Sequence, residues 1–169
     1  MTGIGVQPCC CVGHEDPPGS DDCETNCLPG TIPNEFELVV PGSAFNPFLG
    51  CGAACSAFAG TFVLTWFGSV GGICRWTYCL DDPCNPGAKA MYVLSYRVPN
   101  LAVLILVYGL TDCSDTAWVN WNEWRQTIGG PGDIDCLATI DHDLDYFLDA
   151  ATPNCGVFGA FRPHLRALN

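Results

Sequence analysis

Five cysteines crowd into the 34 positions from Cys51 to Cys84, and they flank one short apolar run, Thr61-Phe62-Val63-Leu64-Thr65-Trp66. Cys51 and Cys55 precede the run; Cys74, Cys79 and Cys84 follow it. A disulfide needs two Cα atoms within roughly 4.4–6.8 Å of each other, and a thiolate–metal site is as demanding. Whatever fold this chain adopts must therefore gather the turns around that run into one place. Thirteen of the 169 residues are cysteine, an odd number, so pairing within one chain leaves at least one thiol over.

Disulfides are the first reading for Cys51, Cys55, Cys74, Cys79, Cys84, Cys113, Cys136 and Cys155. Each such link stabilises a fold by about 2–4 kcal/mol, chiefly by restricting the unfolded chain. Metal binding is the competing reading. Its best donor set is Cys9, Cys11, His14, Cys23 and Cys27, which could supply four ligands to a structural zinc, although the spacings are wider than the Cys-x2-Cys knuckle of most zinc ribbons. Cys9, Cys10 and Cys11 are consecutive, and neighbouring Cα atoms sit closer than a normal disulfide prefers, so they must point to different partners.

Cysteine-rich scaffolds belong to oxidising surroundings, yet MTGIGVQPCCC has neither the basic nor the apolar stretch of a secretory signal. A particle component released by cell lysis, with the virion surface as its location, satisfies both observations. Composition adds a second pressure. Apolar residues make up 49% of the chain and charged ones only 14%, so few charges are left to cover the surface, and contact with other subunits, including copies of itself, is expected. The net charge is −12, with one lysine and five scattered arginines. Nucleic acid and anionic membrane surfaces both need clustered positive charge, so neither is a partner. The longest apolar run, Leu101 to Tyr108, is far short of the roughly 20 residues of a membrane-spanning helix.

Read in order, residues 1–33 are an irregular arm rich in Cys, Pro and Gly, and 34–169 form a single β domain. Strand patterns occur at 35–40, 60–67, 73–78, 90–98 and 101–108, with 43–52 as a loop. The 101–108 run is apolar on both faces, as in a strand covered on both sides. Residues 117–128 fit either a bulged strand or a short helix. From Ala138 the period is two, with Asp141, Asp143, Asp145 and Asp149 on a solvated acidic face, and 157–166 make a last strand. Seven to nine short strands between turn signals predict an all-β chain, an antiparallel β-sandwich or jelly roll.

No catalytic motif stands out, and the chain reads as a non-enzyme. Asp141-x-Asp143-x-Asp145 opens like a calcium loop, but an EF-hand needs glycine and glutamate where Tyr146 and Thr152 stand. Asp133 or Asp135 could complete a different calcium site. Nothing raises one pair of carboxylates above the others as a glycosidase pair. Trp118, Trp121 and Trp124 could form a platform for stacking a glycan or could be buried in the core or an interface.

The cysteine-rich arm, then Cys51-x3-Cys55, then Gly60-Thr61-Phe62-Val63-Leu64-Thr65-Trp66 and Cys74-Arg75-Trp76, resembles small cysteine-rich β-sandwich proteins of tailed bacteriophages. Those are accessory virion proteins of the capsid decoration (cement) or tail-fibre type. The resemblance spans roughly residues 9–80. It implies a structural subunit that binds other virion or assembly subunits as a homo-oligomer and has no catalytic residues. A carbohydrate- or receptor-binding module using the three tryptophans is the alternative.

The odd cysteine count can be checked directly. Alkylating the unfolded, unreduced, metal-free chain should label an odd number of thiols by mass. An even number would require a link between chains.

Overall fold

The computed structural model describes residues 32–45, 48, 51–70, 73–97, 101–115, 118, 121–127, 137–149, 155 and 162–168. The expected arm of residues 1–33 lies almost wholly outside them. Nine strands are present among the described residues: β1 (Glu35–Val40), β2 (Gly60–Val70), β3 (Ile73–Asp81), β4 (Lys89–Arg97), β5 (Leu101–Leu110), β6 (Trp121–Thr127), β7 (Asp141–Asp143), β8 (Asp145–Asp149) and β9 (His164–Leu168). They form one sheet in the order β7-β9-β1-β2-β3-β4-β5-β6-β8, and every pairing is antiparallel.

The all-β, antiparallel expectation therefore holds, while the division into two packed sheets of a sandwich or jelly roll is not what the described strands do. They make a single curled sheet. Its two edge strands, β7 and β8, are successive in the chain and separated only by Leu144, so the edges of the sheet meet at that residue. Leu144 donates its backbone N–H to the Pro163 carbonyl at 2.9 Å, and Ala167 donates to Ile140 at 2.9 Å, extending the β7–β9 ladder to both sides. The strand expected from Ala138 onward starts only at Asp141, because Leu137–Thr139 is a 3-10 helix, and its residues are then shared between the two edges. Register shifts at Trp66–Gly68, Lys89–Met91 and Glu123–Trp124 supply the bending that curling needs, since a bulge increases local twist.

Alternation explains which side faces in. Phe36, Leu38 and Val40 of β1 are buried while Glu35 is exposed, and Cys74 and Trp76 of β3 are buried likewise. With Leu64, Tyr92, Leu94, Tyr96, Leu104, Leu106, Tyr108, Leu144 and Leu165 they fill the concave side. Each fully buried Leu or Phe contributes about 1.5–3 kcal/mol. The aromatic groups keep their polar atoms bonded: Trp76 Nε1 donates to the Pro33 carbonyl at 2.7 Å, and Tyr92 Oη to the Phe58 carbonyl at 2.6 Å. Phe36 and Trp76 meet edge to face at 4.9 Å.

The central strands β4 and β5 are covered on their other face too, as the doubly apolar 101–108 run predicts. Met91, Val93, Ile105, Val107 and Leu110 form a second cluster there, packed against Val103, Cys113, Trp118 and Trp121. The chain after β5 folds back over the outside to do this, and the Cys79–Cys113 disulfide holds it. The 43–52 loop also differs from expectation, because Gly42–Ala44 and Gly52–Phe58 are 3-10 helices. Small residues dominate GAACSAF, which lets this segment lie close to the core and sink Cys55 and Phe58 completely. None of the described helices is long and apolar enough to cross a membrane.

Two substitutions test this packing. Tyr92→Phe leaves the buried Phe58 carbonyl without its donor and should cost about 1–3 kcal/mol in chemical denaturation. Leu94→Ala, which opens a cavity, should cost about 2–5 kcal/mol; a loss below 1 kcal/mol in both would mean that the concave side is not the core.

Candidate functional site

Three features of the fold bring chemically capable side chains together. The first is a groove of about 320 Å³ on the outer face, lined by Ile73, Arg75, Ser95, Val103, Trp118, Trp121, Glu123 and Arg125 among others. Its size falls at the lower end of small-ligand sites, roughly 300–1,000 Å³. Strand β6 supplies Trp121, Glu123 and Arg125 on one face because they are two residues apart. Glu123 is buried and accepts hydrogen bonds from Arg125 Nε and from Trp121 Nε1, the latter at 3.3 Å. Trp118 Nε1 donates to the Asp115 carbonyl at 3.0 Å, and the Arg75 guanidinium lies 4.8 Å from its ring centre, a cation–π contact. Aromatic faces beside fixed charges are what stacking and orienting a small polar ring requires.

Of the three tryptophans singled out by sequence, Trp118 and Trp121 come together here, both half-buried. Trp124 sits in β6 beside Leu104 and Tyr146, and its side chain is outside the described set. Segment 117–128 resolves as a strand over Trp121–Thr127. Arg75, Glu123 and Arg125 were not legible as partners of the tryptophans, since Arg75 comes from a strand more than forty positions earlier.

The second feature is a knot of sulfur. Cys51 is bonded to Cys84, and Cys55 to Cys155, with Cα separations of 5.3 and 5.7 Å. All four sulfurs lie within 4.8 Å of one another, a donor set that could hold a metal ion. Asp82, itself buried, shapes the turn that carries Cys84: its carboxylate accepts from the Cys84 N–H at 2.9 Å, Asn85 Nδ2 at 2.8 Å and the Gly109 N–H at 2.9 Å. Gly109 adopts φ +67°, which a side chain would resist. Cys79 pairs with Cys113 and Cys74 is disulfide-bonded as well. The zinc candidates Cys9, Cys11, His14, Cys23 and Cys27, and the cross-link candidate Cys136, lie outside the described residues, as do Asp133 and Asp135.

The third feature corrects the reading of the acidic face as merely solvated. Asp141, Asp143 and Asp145 are exposed, but each has a partner. His164 of β9 reaches Asp143 with Nδ1 at 2.7 Å and Asp141 with Nε2 at 2.6 Å, and Arg162 pairs with Asp145 at 3.0 Å. Next in line, Arg166 pairs with Glu37 of β1 at 2.8 Å. The Asp143 hydrogen bond, reinforced by Asp141 and by both negative charges, raises the His164 pKa above its ordinary 6.5 against the opposing pull of partial burial. Sequence could not show this, because the partners are 21 and 23 residues apart.

Together these features define a disulfide-stapled antiparallel β protein with an aromatic outer groove. No protein-family model, curated protein or solved structure matches this chain.

The histidine clamp sets a pH dependence. The folded-state pKa lies above the unfolded one, so the clamp's stabilisation is complete below about pH 6.5 and is lost as pH rises through the raised folded value. Its partly exposed setting keeps the gain under about 1 kcal/mol. NMR titration should place the His164 midpoint above the unfolded imidazole value, and Asp143→Asn should lower it; an unmoved midpoint in that variant would remove the clamp from the account.

Proposed function

We propose that this protein is a non-enzymatic structural subunit that works by contact, at the surface of a larger assembly of the phage decoration or tail-fibre kind. The observation that carries this reading is a set of large apolar side chains left at the surface of a well-stapled fold. Val63, Trp66 and Phe67, all in β2, are 38%, 40% and 43% exposed, and Phe48 is 91% exposed. Trp66 keeps one edge on the buried Trp76, with ring centres 5.0 Å apart, so it is presented by a rigid backing. An aromatic residue held this way can anchor an interface at little cost in side-chain freedom. The low share of charged residues points the same way.

A second reading, binding of a glycan or a receptor, is favoured by the outer groove alone. There Trp118 and Trp121 offer stacking faces, and Arg75, Glu123 and Arg125 offer hydrogen bonds to hydroxyl groups.

Sedimentation separates the two. The assembly reading expects the chain to self-associate or to co-sediment with particles far larger than its own oligomers, and Trp66→Ser with Phe67→Ser to abolish this without changing the far-ultraviolet circular dichroism. A monodisperse monomer that accompanies no particle overturns it. Tryptophan fluorescence that shifts on adding glycans, and no longer does so in Trp118→Ala, would establish the second reading instead.

A further inference from the structure

We propose that Cys51, Cys55, Cys84 and Cys155 are a tetrathiolate site for one zinc-class divalent ion in the reduced chain, and that the two disulfides are the oxidised form of that same site. A disulfide needs two sulfurs, yet here four meet within 4.8 Å, drawn from the 3-10 segment before β2, the turn after β3 and the chain beyond β8. Zinc–sulfur bonds of about 2.3 Å in a tetrahedron put the sulfurs about 3.8 Å apart. Two of the four separations between the pairs, Cys51 Sγ to Cys55 Sγ at 3.5 Å and Cys84 Sγ to Cys155 Sγ at 3.6 Å, are already close to that edge, and the others are within 4.8 Å. The other disulfide with both partners described, Cys79–Cys113, has no further sulfur joined to it in such a cluster.

The positions of three of the four ligands do not depend on sulfur–sulfur bonds. The segment carrying Cys51 and Cys55 is tied to β4 by the Tyr92 hydroxyl on the Phe58 carbonyl, 2.6 Å, and Phe58 is itself fully buried. Cys84 is held through its N–H by Asp82, whose second oxygen is fixed by Asn85 and Gly109. Reduction therefore leaves the thiols of Cys51, Cys55 and Cys84 facing one another, and a bound ion takes over from the disulfide as the tie to Cys155. Cys55 and Cys155 are fully buried, whereas Cys51 and Cys84 are partly exposed and give ions and small disulfides access to the cluster from that side.

The chemistry balances. Binding replaces four S–H protons with one dication, giving a site of net charge −2. Oxidation by a low-molecular-weight disulfide, R′S–SR′, consumes two such molecules: two protein S–S bonds form, two R′S–SR′ bonds break, four R′SH leave carrying four protons from solvent, and the dication is released. Metal and disulfides are mutually exclusive at these sulfurs.

The test uses the full chain, reduced without oxygen and loaded with zinc, then alkylated with iodoacetamide and mapped by peptide mass. Cys51, Cys55, Cys84 and Cys155 should react at least about tenfold more slowly with zinc present than without, as expected for metal-held thiolates. Cobalt in place of zinc should give sulfur-to-metal charge transfer and tetrahedral bands that weaken in Cys84→Ser and persist in Cys79→Ser with Cys113→Ser. Because alkylation mapping uses the unmodified chain, a failure of Cys84→Ser to fold does not blunt the test. Protection falling on other cysteines, or on none, overturns the site. Zinc still bound after oxidised glutathione has formed both disulfides overturns the exchange.

Discussion

A sheet that buries apolar side chains on one face must cover that face, and this chain does so by curling the sheet on itself. Everything else follows from that closure. Leu144 joins the two edges, the bulges bend the strands, and the concave side fills with Trp76, Tyr92, Tyr96, Tyr108 and their aliphatic neighbours. The outer surface is then free for other uses. One part carries the Trp118–Trp121 groove, another the paired charges of β7, β9 and β1, and another the exposed aromatics of β2.

The disulfides act at the places that the sheet cannot hold by itself. Backbone ladders secure the strands, while the 3-10 segment before β2, the turn after β3 and the segment over the outer face have no ladder of their own. Cys51–Cys84, Cys55–Cys155 and Cys79–Cys113 fasten those pieces to the scaffold and to each other. Cys55–Cys155 closes a sequence separation of 100 residues, the longest of the three, and so restricts the unfolded chain most in the entropic view. Each of these three links thus has at least one end on a segment outside the strands.

Much of the architecture was legible in the residues. The alternation in Glu35–Val40 and the doubly apolar run from Leu101 gave the strands and the fact that β5 is buried twice, because period and polarity are local properties of a strand. The crowding of cysteines around Thr61–Trp66 announced cross-linked turns. Partnership was not legible. His164 with Asp141 and Asp143, or Arg75 with Trp118, depend on which strands become neighbours, and the local pattern is the same whatever the neighbour. The 3-10 segment Gly52–Phe58 was missed because its small residues have no clear period.

By itself the sequence determined an antiparallel β chain, cross-linked by sulfur and acidic in net charge. Strand propensity, apolar alternation, cysteine chemistry and net charge are properties of single residues and short windows, so they survive without a fold. Only the tertiary structure decided that one sheet curls instead of two sheets packing, and that four particular sulfurs meet. The physical reason is that Leu144 can join both edges only once β6 and β9 lie on either side of it. That placement is set by long-range pairing, which no short stretch of residues encodes.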